Sequence, residues 1–258
     1  MLASDIAADR RTARGLILSG RVLVSDRPVT SEHSTVKEGQ VVRVRGGAKE
    51  MVSRGAAKLR PAIERAGFDV AGRVCLDLGV STGGFTQVLL AAGAARVYAV
   101  DVAYGVAAPV IRDDERVVLL ERTNARLLTS SIIPEPLERV VGDLSFISWR
   151  AVLPAVSKLL AGAAELLLLV KPQFELAARG QRDAVAGGVV EDPGMRRRAL
   201  AELYETWMSN GLNPLAVFPA ALRGAKGNQE YFVHLAAGAG PAGRDGYLRQ
   251  VSTALEEA

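Results

Sequence analysis

The sequence predicts an α/β protein: a doubly wound, mostly parallel sheet with helices on both faces, preceded by a small α+β module. Three observations predict it. From residue 57 onward, seven apolar runs of strand length alternate with segments whose apolar residues recur at helical spacing. The first run exits into a glycine turn and returns at once to an apolar helix pattern, "VCLDLGVSTGGFTQVLL" (74–90), as a strand does when it hands over to a helix at a sheet edge. Before residue 47 the elements are shorter and the charge is more basic.

The N-terminal module reads as a helix, "RRTARGLILSGR" (10–21), a strand, turn and strand, "RVLVSDRPV" (21–29), and a last strand, "QVVRVRG" (40–46), after a turn at Glu38-Gly39. Residues 1–46 hold eight basic side chains against five acidic ones, so most of the chain's net charge of +4 lies there. Two readings fit: the solvated face of a docking or dimerisation module, or an RNA-binding surface carried by Arg10, Arg11, Arg14 and Arg21, with Arg54 beyond it. The stretch "TARGLILSGRVLVSDRPVTSEHSTVKEGQVVRV" (12–44) resembles the S4 domain, which lays a helix pair and a basic hairpin on structured RNA. That family has a further half-helix before this point, so the resemblance implies a chain that is short at its start.

The seven later strands are expected at 73–79, 96–102, 116–121, 139–146, 165–174, 213–220 and 230–236. The expected organisation is residues 1–46 as the S4-like module, 47–56 as linker, 57–240 as the sheet domain and 241–258 as a flexible tail ending in a short helix. With 258 residues, 49% of them hydrophobic, the chain can bury a full core. Its one cysteine, Cys75, permits no intramolecular disulfide and no cysteine-based metal site, which fits a reducing compartment. The longest apolar run, around 165–170, is too short to span a bilayer, and the start carries no signal pattern. A cytoplasmic protein is expected. Aromatic residues make up 5% of the chain, so any RNA contact rests more on charge and shape than on rows of stacked bases.

The turn after the first strand is not the GxGxxG of nicotinamide enzymes, because its glycines stand at Gly79, Gly83 and Gly84 and an acid, Asp77, precedes them. S-adenosylmethionine carries no phosphate; its site needs a glycine turn for the amino-acid moiety and acids for the ammonium and the ribose hydroxyls. Asp77 suits the ammonium and Asp101, closing the second strand, suits the ribose. Thr123 and Asn124 follow the third strand, where an adenine edge would lie. The donor site expected from this reading comprises Asp77, Gly79, Ser81, Thr82, Gly83, Gly84, Phe85, Thr86, Asp101, Val102, Thr123, Asn124, Asp143 and Phe146. The competing reading, in which Gly83 and Gly84 serve tight packing and Asp101 caps a helix, explains each residue singly.

Four charged residues stand at ends of apolar runs, where they are costly unless paired or used: Lys58 before the sheet, Asp143 after the fourth strand, Lys171 after the fifth and Glu230 before the last. Taken one by one, a structural ion pair explains each. Their order resembles the catalytic tetrad of FtsJ-like ribose 2'-O-methyltransferases. With "VSRGAAKL", "CLDLGVSTGGFT", "VVLLERTNAR", "GDLSFIS", "LLVKPQFE", "GGVVEDP" and "KGNQEYF", nearly the whole chain resembles the TlyA family of ribosomal RNA 2'-O-methyltransferases, sometimes labelled hemolysin A. The resemblance implies a Rossmann-like S-adenosylmethionine-dependent methyltransferase sheet behind an S4-like domain, a cytidine ribose of large-subunit and also small-subunit RNA as substrate, and no metal ion.

The chemistry suits the residues. A ribose 2'-hydroxyl is a weak nucleophile, and a lysine with its ordinary pKa near 10.4 is a poor base at neutral pH, so burial and a second ammonium nearby are needed to lower it. The expected roles are Lys171 as base or hydroxyl activator, Asp143 as its orienting partner, and Lys58 and Glu230 as ribose-positioning groups; the sequence leaves open which lysine takes the proton. Two stretches depart from the family pattern. "AYGVAAPVIR" (103–112) replaces "GYGQLAW", with Pro109 forcing Ala108 toward extended backbone, and "KEMV" (49–52) replaces a linker containing tryptophan. The arginine-rich "AARGQRDAVAGGVVEDPGMRRR" (177–198) reads either as a solvated loop or as a phosphate-holding surface through Arg179, Arg182 and Arg196 to Arg198. Two other functions are weighed. A non-catalytic RNA-binding or ribosome-assembly factor would need the basic module and not the tetrad; a membrane-damaging protein would need an insertion segment, and the sequence offers none.

Overall fold

The computed structural model describes residues 10–18, 20, 22–25, 27–36, 40, 42–44, 53–181, 188–224, 226–238 and 243–258. The chain divides into two compact units, Met1–Met51 and Val52–Ala258.

The first unit holds helix α1 (Arg10–Leu18) and three short strands, β1 (Val22–Val24), β2 (Arg27–Val29) and β3 (Val42–Val44). They form an antiparallel sheet in the order β2-β1-β3, with Val22 opposite both Val29 and Val44. The hairpin reverses at Ser25, whose φ of 48° lies in the left-handed region. Val22 and Leu23 are the buried pair at the centre. The expected turn at Glu38-Gly39 lies outside the described residues.

The second unit opens with α2 (Arg54–Ala66), capped by Ser53, whose hydroxyl accepts from the Gly55 N–H, and ended by Gly67 at φ 60°. The last residues of the expected linker, 54–56, are therefore helix, and Ala56 is fully buried. Strands β4 (Val74–Leu78), β5 (Arg96–Val100), β6 (Val117–Leu120), β7 (Leu137–Gly142) and β8 (Leu160–Val170) run parallel; β9 (Leu212–Pro219) and β10 (Tyr231–Ala237) complete the sheet in the order β6-β5-β4-β7-β8-β10-β9. All seven expected strands are present. The chain winds outward from β4 through β5 to β6, then crosses back to place β7 on the other side of β4. That reversal opens a crevice beyond the carboxyl ends of β4 and β7.

Helices α3 (Gly84–Ala91), α4 (Pro109–Arg112), α5 (Trp149–Val156), α6 (Pro172–Ala177), α7 (Pro193–Ala201), α8 (Tyr204–Ser209) and α9 (Arg244–Glu256) flank the strands. Two cores result, and period-2 alternation sorts the strand residues between them. Leu166, Leu168 and Val170 of β8 enter one core with Trp149, Trp207 and Tyr247; Leu167 and Leu169 enter the other with Leu59, Phe85 and Phe232. Each such fully buried side chain contributes about 1.5–3 kcal/mol. Cys75 joins the second core, and burial pushes its thiol up to about 12, so it acts as a small apolar residue.

The expected terminal helix is α9, and it packs on the sheet unit. Tyr247, Val251 and Ala254, at helical spacing, are buried; the Tyr247 hydroxyl donates to the Leu200 carbonyl at 2.7 Å and accepts from the Trp207 indole at 3.3 Å. The sheet unit thus includes the end of the chain. No described helix is long and apolar enough to cross a membrane.

Candidate active site

β10 runs antiparallel to β8, with Tyr231 opposite Val170. A residue that opens β10 therefore reaches the same edge as residues that close the parallel strands. Glu230 precedes β10, Lys171 follows β8, Asp143 follows β7, and Lys58 projects from α2. The four meet as a chain of charges. Lys171 Nζ lies 2.6 Å from Asp143 Oδ1, Lys58 Nζ lies 4.0 Å from Asp143 Oδ2, and Lys58 Nζ donates to Glu230 Oε2 at 2.6 Å. The Lys171–Asp143 contact is an ion pair without hydrogen-bond alignment, since Asp143 Oδ1 accepts no hydrogen bond. Lys171 instead donates to the Ser145 hydroxyl at 2.8 Å. Both lysines and Glu230 are buried, and only Asp143 is partly open.

The surroundings hold this row in register. Gly142 leaves room for the Trp149 ring, whose indole donates to the Leu169 carbonyl, so β7 and β8 are locked just below Asp143 and Lys171. Buried Glu175 on α6 accepts from the Trp149 N–H at 3.0 Å and from the Ser148 hydroxyl, tying the helix that follows Lys171 to the start of α5. Burial pushes its carboxyl up, against these two donors. Gly224 lies against the Glu230 carboxylate, where a Cβ would collide.

Two clefts open beside Asp143. The larger, about 470 Å3, is lined by Gly79, Ser81, Asp101, Val102, Thr123, Asn124, Asp143 and Phe146 of the expected donor site, and also by Ser145 and apolar walls such as Val106 and Ile147. Asp101 accepts from two backbone N–H groups, those of Ser81 at 2.7 Å and Ala103 at 2.8 Å, which orients its carboxylate at the mouth. Phe146, at φ 65° and 90% exposed, leans on Phe174 with ring centroids 5.0 Å apart. The smaller cleft, about 380 Å3, is lined by Ser81, Thr82, Gly84, Phe85, Lys58, Arg54 and Asp143. Gly79, at φ 84°, belongs to both, and a Cβ there would strike the Asp143 carbonyl.

Three expected donor contacts, Asp77, Gly83 and Thr86, line neither cleft. Asp77 is fully buried beneath the turn, accepting from the Thr86 hydroxyl at 2.6 Å, and neither residue lines a cleft. Gly83 faces Ile111 at φ 98° and Gly84 packs on Ser53 and Ala56, so both glycines have the packing reason that the competing reading gave them. Burial pushes the Asp77 carboxyl up to about 7, with the Thr86 bond opposing. Its Oδ1 and the Thr82 hydroxyl are buried without hydrogen-bond partners, leaving unspent polar capacity under the turn. Two carboxylates at the mouth, a glycine floor and apolar walls suit a cationic, nucleoside-bearing ligand, and the volume lies in the range of small-molecule sites.

The departing loop behaves as its proline dictates. Ala108 is extended at ψ 147°, Pro109 opens α4, and Glu121 pins Gly105 N–H at 2.8 Å while pairing with Arg112. Of the expected RNA contacts, Arg10 and Arg11 lie on α1, Arg14 is exposed and pairs with Glu32 at 3.3 Å, and Arg54 is exposed at the smaller cleft; Arg21 lies outside the described residues. In the arginine-rich stretch, Arg179 and Arg198 pair with Glu202 and Arg196 donates to the Val190 and Glu191 carbonyls, which favours a structural role for them; Arg182 and residues 49–52 lie outside the described residues.

Residues 51–237 match the family model of FtsJ-like methyltransferases. Over 236 residues, 91% of this chain and 87% of the relative, the sequence is 43% identical to the 16S/23S rRNA (cytidine-2'-O)-methyltransferase TlyA of Mycobacterium tuberculosis. The chain belongs to the TlyA family of FtsJ-like methyltransferases. Another relative, named hemolysin A, from Brachyspira hyodysenteriae, is 36% identical over 87% of this chain and 92% of its own. A solved structure from Streptococcus thermophilus, provisionally described as a hemolysin, superposes with a TM-score of 0.75 at 28% identity, covering 97% of this chain and 92% of that one. Sequence reading missed Ser145, Glu175, Gly224 and Arg223 at this TlyA site. Ser145 and Glu175 stand within the motifs quoted for the family, but nothing in their spacing names their partners.

Proposed function

We propose that this chain transfers a methyl group from S-adenosylmethionine to the 2'-oxygen of a cytidine in ribosomal RNA, that of the large subunit and also of the small, in the cytoplasm where subunits assemble. One observation carries the reading: two lysines and two carboxylates, three of the four buried, form a continuous row at the sheet's crevice, beside a cleft with two acids at its mouth. A neutral row of this kind is expensive to bury for structure alone. The names of the relatives support the substrate.

S-adenosylmethionine, when bound, supplies an electrophilic methyl on a sulfonium. In this reading the larger cleft holds it, with Asp101 accepting from its ribose hydroxyls, Thr123 and Asn124 at the adenine edge, and Asp143 nearest the reacting centre. Lys171 then takes the proton from the RNA 2'-hydroxyl. It faces one carboxylate and a serine hydroxyl, whereas Lys58 lies between two carboxylates that hold its ammonium in place. Lys58 and Glu230 position the target ribose, and alignment supplies much of the rate. The unit Met1–Met51 serves as the S4-like RNA-holding module.

The test is transfer of labelled methyl from S-adenosylmethionine to purified large and small ribosomal subunits lacking the modification, with products mapped by nuclease digestion and mass spectrometry. Label on a cytidine 2'-oxygen is the expected result. A folded protein that binds these subunits and transfers nothing would make it a non-catalytic RNA-binding factor.

A further inference from the structure

A third groove, about 400 Å3, adjoins the row of charges on the side of α2 and is lined by Lys58, Arg65, Phe218, Arg223, Gln229, Glu257 and Ala258, among others. Lys58 and Arg223 also line the smaller cleft beside Asp143, so the two depressions share a wall that reaches the reacting centre. Lys58 is already paired with Glu230, so two guanidiniums, Arg65 and Arg223, face the Glu257 carboxylate here. The Arg65 guanidinium lies 4.7 Å above the Phe218 ring, which fixes its plane, and pairs with Glu257 Oε2 at 2.6 Å. Both partners are well exposed, at 49% and 39% of their side chains, and a surface pair of this kind contributes little to stability. Arg223 is exposed and makes one long bond, 3.4 Å, to the Ala258 main-chain oxygen. Two preset guanidiniums thus stand beside Lys58, one engaged by an exposed carboxylate and the other by a single long bond to a main-chain oxygen. Arginine forks are well matched to phosphate, and exchange of the Glu257 carboxylate for a phosphate loses a weak pair and gains a doubly charged-assisted one.

We propose that this groove seats the RNA strand on one side of the reacting ribose, with Arg223 and Arg65 holding backbone phosphates and Glu257 standing in for a phosphate until RNA arrives. The proposal rests on the ribose-methylation reading, because a 2'-oxygen delivered to Lys171 brings its flanking phosphates past Lys58. It adds a distinctive expectation: the two partners of one ion pair act on RNA affinity with opposite signs. Arg65→Gln removes a phosphate ligand, whereas Glu257→Gln removes the competitor.

The experiment measures binding of a labelled single-stranded ribo-oligonucleotide and of ribosomal subunits to the full chain and to Arg65→Gln, Arg223→Gln and Glu257→Gln, across a salt series, with urea unfolding of each. Arg65→Gln and Arg223→Gln are expected to weaken binding several-fold and to flatten the slope of log affinity against log salt by about 0.7 each on a single strand. Glu257→Gln is expected to tighten it. A structural ion pair would instead lower the stability of both Arg65→Gln and Glu257→Gln and leave RNA affinity unmoved or shifted in one common direction; that result overturns the proposal. Methyl transfer by the unaltered chain is followed in parallel. If it methylates ribosomal RNA while all three variants bind as it does, the groove is refuted and the reading stands. If it methylates no ribosomal RNA, the reading fails, and the signs measured on the oligonucleotide decide the groove.

Discussion

The two lysines of the site share Asp143 but are held by different architecture. Lys171 follows β8, bonded to Ser145 and paired with Asp143, the one carboxylate of the tetrad that lines the larger cleft. Lys58 stands on α2, 2.6 Å from Glu230, whose carboxylate is buried against Gly224. One arm ends in a hydroxyl and faces the ligand cleft; the other ends in a second, buried acid. In the proposed reading the difference separates chemistry from scaffolding, with Lys58 as the positioning charge and Lys171 as the group that exchanges a proton.

The strongest way to break this comparison is to remove each lysine in turn. Lys171→Ala is expected to lower methyl transfer to ribosomal RNA by about 10²–10⁴-fold, the span of general-base contributions, while calorimetry finds donor affinity nearly unchanged. Lys58→Ala leaves the Glu230 carboxylate buried and unpaired, so its signature is a stability loss of about 3–5 kcal/mol in urea unfolding, well beyond that of Lys171→Ala, together with a raised KM for RNA. Equal stability losses would erase the distinction between the arms.

Asp77 sharpens the contrast between site and support. Burial raises its carboxyl to about 7, above its unfolded value near 3.8, so the folded state binds more protons than the unfolded state between those values. This group's contribution to stability is therefore full below about pH 4, falls as pH rises toward 7, and stays low beyond. Asp77→Asn should remove that decline, gaining on the parent protein from pH 4 to 7 by an amount on the order of a few kcal/mol, measured by urea midpoints at each pH. A constant offset between the two proteins would contradict it. The smallest effect is expected from Ser145→Ala, which deletes one bond to a charged group and should lower methyl transfer about tenfold without moving the unfolding midpoint by more than that bond accounts for.

Much of the sheet was legible in the sequence because its strands are continuous apolar runs, and β8 declares itself by a fivefold aliphatic stretch buried on both faces. The tetrad was legible as a set through the order of Lys58, Asp143, Lys171 and Glu230. Its convergence was not, because nothing in "KGNQEYF" says that the strand it opens runs antiparallel, and only that direction brings Glu230 to the edge where Lys171 stands. Asp77 was read as a ligand contact because it precedes the glycine turn and suits an ammonium, yet its partner Thr86 lies nine residues on, across a turn whose geometry the spacing does not give. The last helix was expected at the end of a glycine-rich link, but its packing was not; the Tyr247, Val251 and Ala254 spacing was the signal for it.

The central claim, that Lys171 takes the proton while Lys58 positions, is tested most directly by chemical rescue: single-turnover methyl transfer to ribosomal subunits by Lys171→Ala and by Lys58→Ala, each with and without added methylamine. The account predicts that methylamine restores part of the rate, increasingly with pH, in Lys171→Ala and leaves Lys58→Ala where it was. Rescue of Lys58→Ala alone would contradict it and exchange the two roles.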